Sequence, residues 1–392
     1  MMPRPGWRIL VSSLVMSVLA VGAALAPAPA SAPAPGPATL AVAAVPSHSD
    51  PVARASPPRW PLTRALLDEP GRLRIRALLV RHLRASPPGS VVQGVVWAYD
   101  SQALTSALVR TARSGVRVRV LVGGISCGEP AFVRLRRTLR PPSYAGCVRG
   151  SARGGAVFDG AEANLHQKSW TFSRVGRARW VSVVTTANAT EVAERHQYND
   201  AYEVVGHREL YRRLGQVFEQ QARDRAVAHP FRHYEVGRGV AVTFLPWNSP
   251  GQADPVVERI RGLPGASTTI LVAQSNWQDQ RGVAIARALV GQRRAGATVR
   301  VLASQPLGRG VRAVLRAGGI PVSNTWWGPH RYSHLKFMAV RYATPAGPRS
   351  RVWTGSENWW SPSRGHDELV LRVDGGPAFA AYQRIFRIVR SA

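Results

Sequence analysis

The sequence predicts an α/β protein of two similar α/β/α sandwich halves, each a mixed, largely parallel sheet flanked by helices, related by a pseudo-twofold axis. Three observations predict it: a strand–helix–strand pattern that occurs twice, polar residues recurring at a near-constant offset, and a helix closing each half. In the first half, residues 91–97 (Val-Val-Gln-Gly-Val-Val-Trp) read as a buried strand after the breaker cluster at 86–89. Ala103, Leu104, Ala107 and Leu108 then share one helical face, and Val116–Val120 alternates as a strand after Gly115. Strand, helix and strand of these lengths make a right-handed crossover and a parallel pair.

The second half repeats the pattern. Residues 269–273 read as a strand, 282–295 as a helix, and 296–302 echo 115–121. His166 answers His334, Asn188 answers Asn358 and Asp200 answers Asp367, at offsets of 168, 170 and 167. A helix is expected over 72–84, and closing helices over 208–225 and 377–390. In the last of these, Phe379, Tyr382, Phe386 and Val389 recur at helical spacing. A period this long indicates a duplicated domain, not a solenoid.

The expected organisation is an export signal over 1–32, an Ala/Pro-rich linker over 33–60, and two halves over 61–228 and 229–392. Arg4 and Arg8 precede an apolar run from Ile9 to Ala26, followed by small-x-small cleavage candidates such as Ala24-Leu25-Ala26. A secreted protein is the expectation, with an uncleaved N-terminal membrane anchor as the alternative. Cys127 and Cys147, the only cysteines, close a short loop in one half, and export favours a disulfide between them. Neither lies in a metal-ligand pattern, so no zinc site is expected.

The formal charge of +30 calls for anionic partners, whether nucleic acid, an anionic membrane surface or another polymer. Of the 52 basic residues only Lys168 and Lys336 are lysine, and each follows a histidine by two positions. Ten histidines and two lysines in 392 positions give roughly 0.05 such coincidences by chance. Residues i and i+2 of an extended chain share a face, so each His-x-Lys projects together. About twenty residues later each half offers a polar tetrad, Thr185-Thr186-Ala187-Asn188 and Gly355-Ser356-Glu357-Asn358. Two histidines, two lysines and two asparagines, with hydroxyls at Thr186 and Ser356, suit a tetrahedral anion, and phosphate fits best.

These residues resemble the phospholipase D superfamily, whose signature is H-x-K-x(4)-D followed by G-S-x-N, present twice. The resemblance covers roughly 72–390. It implies that one histidine attacks phosphorus to form a phosphohistidine while the other protonates the leaving alcohol and then activates water or a second alcohol. His166 is the expected nucleophile and His334 the general acid/base. Lys168, Lys336, Asn188 and Asn358 would hold the non-bridging oxygens, with no cofactor or metal. Asp200, Asp367 or Glu368 would fix a histidine tautomer. The signature aspartates are replaced by Ser173 and Arg341, and the first tetrad has Thr185-Thr186 where the second has Gly355-Ser356. Trp326, Trp327, Trp353, Trp359 and Trp360 gather round the second motif, and His330 and His366 lie near it without an assigned role.

The expected function is a secreted, monomeric phospholipase D-like phosphodiesterase that cleaves or transfers the headgroup of glycerophospholipids. The alternatives are a secreted metal-independent nuclease of the same superfamily, or an anion-binding relative without turnover.

Overall fold

Two short runs rich in β-branched and aliphatic residues lie well inside the two sheets, and both are buried on either face. They are Val91–Val96 (β2) and Thr269–Gln274 (β12). The computed structural model describes residues 63–392 apart from 156, 159–160 and 248–252. The expected signal and linker therefore lie outside the described residues.

The first half contains, besides β2, strands Arg64–Asp68 (β1), Arg117–Gly123 (β3), Tyr144–Val148 (β4), Val157–Phe158 (β5), Ala161–Glu162 (β6), Ser169–Val175 (β7), Ala178–Thr185 (β8) and Gln197–Val204 (β9). Its helices are Arg74–Ala85 (α1), Gln102–Arg113 (α2), Pro130–Thr138 (α3), Glu191–His196 (α4) and Arg208–Ala222 (α5). The second half adds, besides β12, strands Arg232–Gly237 (β10), Val240–Phe244 (β11), Thr298–Ala303 (β13), Val322–Asn324 (β14), Tyr332–Ser333 (β15), Lys336–Tyr342 (β16), Arg349–Gly355 (β17) and Leu369–Asp374 (β18). Its helices are Pro255–Arg261 (α6), Asp279–Arg294 (α7), Arg309–Ala317 (α8) and Gly376–Arg390 (α9).

The strand orders are β1-β9-β8-β7-β2-β3-β4 and β10-β11-β18-β17-β16-β12-β13-β14. Both sheets are mixed, but the expected parallel majority is corrected. Parallel pairing is limited to β2-β3-β4, β12-β13-β14 and the short β15–β9 pair, and antiparallel pairs outnumber it. The reason is local: helical crossovers, legible in the sequence, give the parallel pairs. The motif strands β7 and β16 return instead through the hairpins β7–β8 and β16–β17. The hairpin β10–β11 of the second sheet follows directly on the expected boundary between the halves at 228/229.

The helices follow from their sequences. In α2 the Ser101 side chain accepts the Leu104 N–H, and Leu104, Ala107 and Leu108 are buried. α2 and α7 each end before a glycine with positive φ, Gly115 at 85° and Gly296 at 96°, which turns the chain into the next parallel strand. The outer faces of the two sheets carry α1–α3 and α6–α8. The inner faces share one core with α5 and α9. There Leu214 and Val217 join Tyr382 and Phe386, together with Val184, Phe244, Leu271 and Phe337. Each such buried side chain contributes about 2 kcal/mol. Alternation along β12 makes the layering visible, since Ile270 and Val272 face the outer helices while Leu271 and Ala273 face the shared core.

Polar contacts also cross between the halves. β15 pairs in parallel with β9, and Leu165 bridges Asp367. Asp367 is fully buried and accepts from Arg153 Nε at 2.8 Å and Ser151 Oγ at 2.7 Å. Arg153, equally buried, also donates to the carbonyls of Pro230 and Leu245. Cys127 and Cys147 form the expected disulfide, with Cα atoms 5.6 Å apart, tying the loop after β3 to β4. Among the described residues no helix is long and apolar enough to cross a membrane.

Arg153→Ala leaves the Asp367 carboxylate buried without its cation. Its expected cost is about 3–5 kcal/mol of unfolding free energy, measured by denaturant titration. An unchanged midpoint and slope would remove this pair from the forces joining the halves.

Candidate active site

The two His-x-Lys motifs sit at the entries to β7 and β16, where each chain first touches the opposite half. The His166 N–H donates to the Asp367 carbonyl at 3.0 Å, and the His334 N–H donates to the Tyr198 carbonyl at 2.9 Å. These equivalent contacts express the pseudo-twofold relation in hydrogen bonds. They also bring each histidine to a side chain one residue further along the opposite strand.

For His166 that side chain is Glu368, whose two carboxylate oxygens lie 2.9 Å from Nδ1. For His334 it is Asn199, whose Oδ1 lies 3.0 Å from Nδ1. The Asn199 amide donates to the Ala193 carbonyl and to Gln197 Oε1, which turns its Oδ1 toward the histidine. Both rings therefore carry hydrogen on Nδ1 and present a bare Nε2 when neutral. Asn199 thus answers Glu368, at an offset of 169, which corrects the expected pairing of Asp200 with Asp367. The backbone agrees, since the Thr186 N–H donates to the Asp200 carbonyl where the Ser356 N–H donates to that of Leu369.

Of the three acidic residues expected to hold a histidine tautomer, only Glu368 touches a histidine ring. Asp367 is taken by Arg153 and meets His166 through its backbone carbonyl. Asp200 is buried and accepts from Thr354 Oγ1 at 2.6 Å and the Tyr382 hydroxyl at 2.7 Å. Its charge favours the protonated form of Lys336. Burial raises its own pKa, against the hydrogen bonds from Thr354 and Tyr382.

Lys168 and Lys336 each donate to the carbonyl of their own motif histidine, at 2.6 and 3.0 Å. Two ammonium hydrogens remain on each for an anion. Burial pushes both pKa values down, Lys168 well below the usual lysine range and Lys336 to about 7; Glu368 opposes the shift at both. Burial, and then the neighbouring lysines, also hold His166 and His334 well below the usual histidine range. Burial raises the Glu368 carboxyl, against the pull of Lys168. The site thus concentrates cationic groups that are short of negative charge.

The asparagines have matching supports. Asn188 Oδ1 accepts the Ala98 N–H at 3.4 Å, and Asn358 Oδ1 accepts from Ser275 Oγ at 3.3 Å. Each acceptor is held by the loop following β2 or β12, which leaves the amide hydrogens to donate. The hydroxyls of Thr186 and Ser356, expected on phosphate, are engaged by protein. Thr186 Oγ1 donates to Asn199 Oδ1 at 3.1 Å, and Ser356 Oγ accepts the Leu369 N–H at 3.0 Å. Thr185, at the glycine position of the first tetrad, braces the turn, donating to the Asp200 carbonyl and accepting the Ala187 N–H. A side chain at Gly355 would put Cβ 2.0 Å from the Leu369 carbonyl oxygen, so glycine is required there and not at Thr185.

Ser173 accepts the Val91 N–H, and Arg341 is exposed near the far end of β16, so both aspartate replacements lie away from the histidines. Several residues of the site were not expected. Trp97 packs edge-on to His166 at 5.0 Å, with Lys168 Nζ 5.4 Å from its ring centre. Ser363 donates to Glu368 at 2.6 Å and accepts the Asn358 N–H. Of the five tryptophans near the second motif, Trp353 and Trp359 belong to the core and Trp360 is half-buried beside His366. Trp327 is exposed, packs on Tyr198 and carries Arg331 over its ring, while Trp326 packs on Tyr332. Asn199 had a usable signal, since 169 falls between the offsets of the histidines and the tetrads. Among the described residues no group of three or more His, Cys, Asp or Glu is placed to hold a metal ion.

Neither a protein-family model nor a curated protein matches the sequence. Among solved structures, phosphatidylserine synthase from Haemophilus influenzae Rd KW20 superposes with a TM-score of 0.57 at 12% identity, over 83% of this chain and 86% of that one. Polyphosphate kinase from Porphyromonas gingivalis gives 0.51 at 14% identity, over 83% of this chain and 50% of that one, so the chain spans half that enzyme's length. Nuc, a phospholipase D family member from Salmonella typhimurium, matches at 20% identity and a TM-score of 0.31, over 39% of this chain and 93% of that one. At these identities the likeness to the synthase and the kinase is one of fold alone.

Proposed function

We propose that the protein is a phosphodiesterase working through a phosphohistidine on His166, with His334 as general acid and then general base. The observation that carries this reading is the unequal support of two otherwise equivalent histidines, Glu368 behind one and Asn199 behind the other. A carboxylate on Nδ1–H stabilises the positive imidazolium that forms when Nε2 bonds to phosphorus. A neutral amide fixes the same tautomer without that charge, so His334 releases its proton more readily.

In the first step the His166 Nε2 lone pair attacks phosphorus, and the P–O bond to the leaving alcohol breaks. The alkoxide takes the proton from His334 Nε2. In the second step neutral His334 removes a proton from water or an alcohol, whose oxygen attacks phosphorus, and the P–N electron pair returns to His166. Lys168, Lys336 and the amide hydrogens of Asn188 and Asn358 hold the non-bridging oxygens and spread their charge.

For substrate we propose a glycerophospholipid outside the cell. Trp326, Trp327 and Arg331 lie on the His334 side, where the headgroup alcohol leaves, and suit a lipid–water interface. The export pattern at the N-terminus and the fold shared with a phosphatidylserine synthase support the same reading. The net charge of +30 favours a second reading, a nuclease.

Three outcomes are expected. With bis(p-nitrophenyl) phosphate, His334→Asn accumulates an acid-labile phosphoenzyme and loses about 10²–10⁴ in turnover, while His166→Asn forms none. The reverse pattern would exchange the two roles. Sulfate keeps its charge above neutral pH, whereas Lys336 loses its proton as pH rises through about 7. Sulfate affinity, followed by calorimetry, therefore falls above pH 7 by up to about tenfold per unit, and the fall is absent in Lys336→Met. Choline release from phosphatidylcholine vesicles is expected to continue in EDTA. Plasmid degradation without choline release would replace the lipid reading with the nuclease.

A further inference from the structure

A third histidine stands beside the catalytic pair. His366 lies two residues before Glu368, its ring centre 5.8 Å from that of His166 and 6.3 Å from that of Trp360. It is 4% exposed. Its Nδ1 accepts the backbone N–H of Asn164 at 3.1 Å. A ring nitrogen that accepts carries no hydrogen, so the neutral ring holds its hydrogen on Nε2, the opposite tautomer to His166 and His334. Burial lowers its pKa, with Glu368 opposing, which agrees with a neutral ring at pH 7. Its Nε2 makes no hydrogen bond to a described residue, and the ring lies beside that of His166.

In-line displacement at phosphorus puts the His166 nitrogen and the leaving oxygen at the two apices, with three oxygens around the equator. Two symmetry-related donor sets, Lys168 with Asn188 and Lys336 with Asn358, account for two of the three. In a diester the third equatorial oxygen is the ester oxygen that stays on phosphorus, and neither donor set is assigned to it. We propose that His366 is a substrate-contacting residue, a neutral Nε2–H donor to the third equatorial oxygen of the phosphoryl group under attack by His166. This rests on the phosphodiesterase reading above.

Two substitutions separate its atoms. His366→Asn keeps an acceptor at the Nδ1 position for the Asn164 N–H and removes the Nε2 donor. His366→Gln returns an amide N–H near Nε2. With bis(p-nitrophenyl) phosphate, His366→Asn is expected to slow phosphoenzyme formation roughly ten- to a hundredfold, with KM changed less than about threefold. His366→Gln recovers part of the loss. Vanadate, whose five-coordinate form has three equatorial oxygens, loses affinity in His366→Asn by about the same factor as the rate, whereas sulfate binding stays within about twofold. A slowed rate with unchanged vanadate affinity overturns the contact, as does wild-type turnover in His366→Asn or an equal loss in both variants. Absence of turnover in the unaltered protein, together with absence of any phosphoenzyme in His334→Asn, instead overturns the phosphodiesterase reading itself.

Discussion

The structure depends on one constraint: each motif histidine is held by the half of the chain that does not contain it. Glu368 comes from the second half to His166, and Asn199 from the first half to His334. The backbone hydrogen bonds from His166 and His334 run the same crossed way. Neither half alone fixes a tautomer, so the interface between halves and the candidate site are one object. The buried Arg153–Asp367 pair belongs to the same object, since Asp367 is the residue before Glu368. Tyr382 on α9 reaches Asp200 on β9 and ties the shared core to the back of Lys336.

Duplication supplies the geometry twice, and the sequence then makes the copies chemically unequal. A nucleophile and an acid need opposite electronic support at the start of the reaction, although both need the same tautomer. For the roles proposed for His166 and His334, one carboxylate and one amide at equivalent positions would meet both demands with a single difference in residue type. The same economy appears at the tetrads. Gly355 is forced by the approach of Leu369, while in the first half Thr185 adopts a different turn and uses its hydroxyl to brace it. The two halves thus reach matching asparagines, each with its acceptor held by a neighbouring loop, along different local routes.

Most of the fold was legible because its signals are local. Crossover units, closing helices and the doubled His-x-Lys are patterns of a few residues, and the structure carries them where the sequence suggests. What escaped was set by pairing across the halves. The sheets are richer in antiparallel pairs than expected because the motif hairpins leave a weaker pattern than a crossover helix does. Asn199 carries no charge to mark it, and the acidic Asp200 beside it matches Asp367 at nearly the same offset as the histidines. Trp97 follows a strand of ordinary apolar residues, and nothing in its neighbourhood marks a ring that lies against His166. Arg153 is one arginine among fifty, and only burial distinguishes it.

Burial also explains why the two lysines are lysines. The buried guanidiniums of Arg153 and Arg281 each have carboxylates in contact, Asp367 for the first and Asp254 with Glu357 for the second. A guanidinium keeps its charge at any working pH, so burying one demands a permanent counter-ion. Lys168 and Lys336 are as deeply placed, but no carboxylate lies within ion-pair distance of either among the described residues. An ammonium tolerates that position because it can shed its proton, and burial drives its pKa down. The arrangement leaves a buried pocket whose basic groups hold their protons more firmly when an anion sits among them. Under the proposed function, substrate phosphate would be bound by groups whose charge it helps to restore, and a carboxylate fixed beside either lysine would cancel that gain.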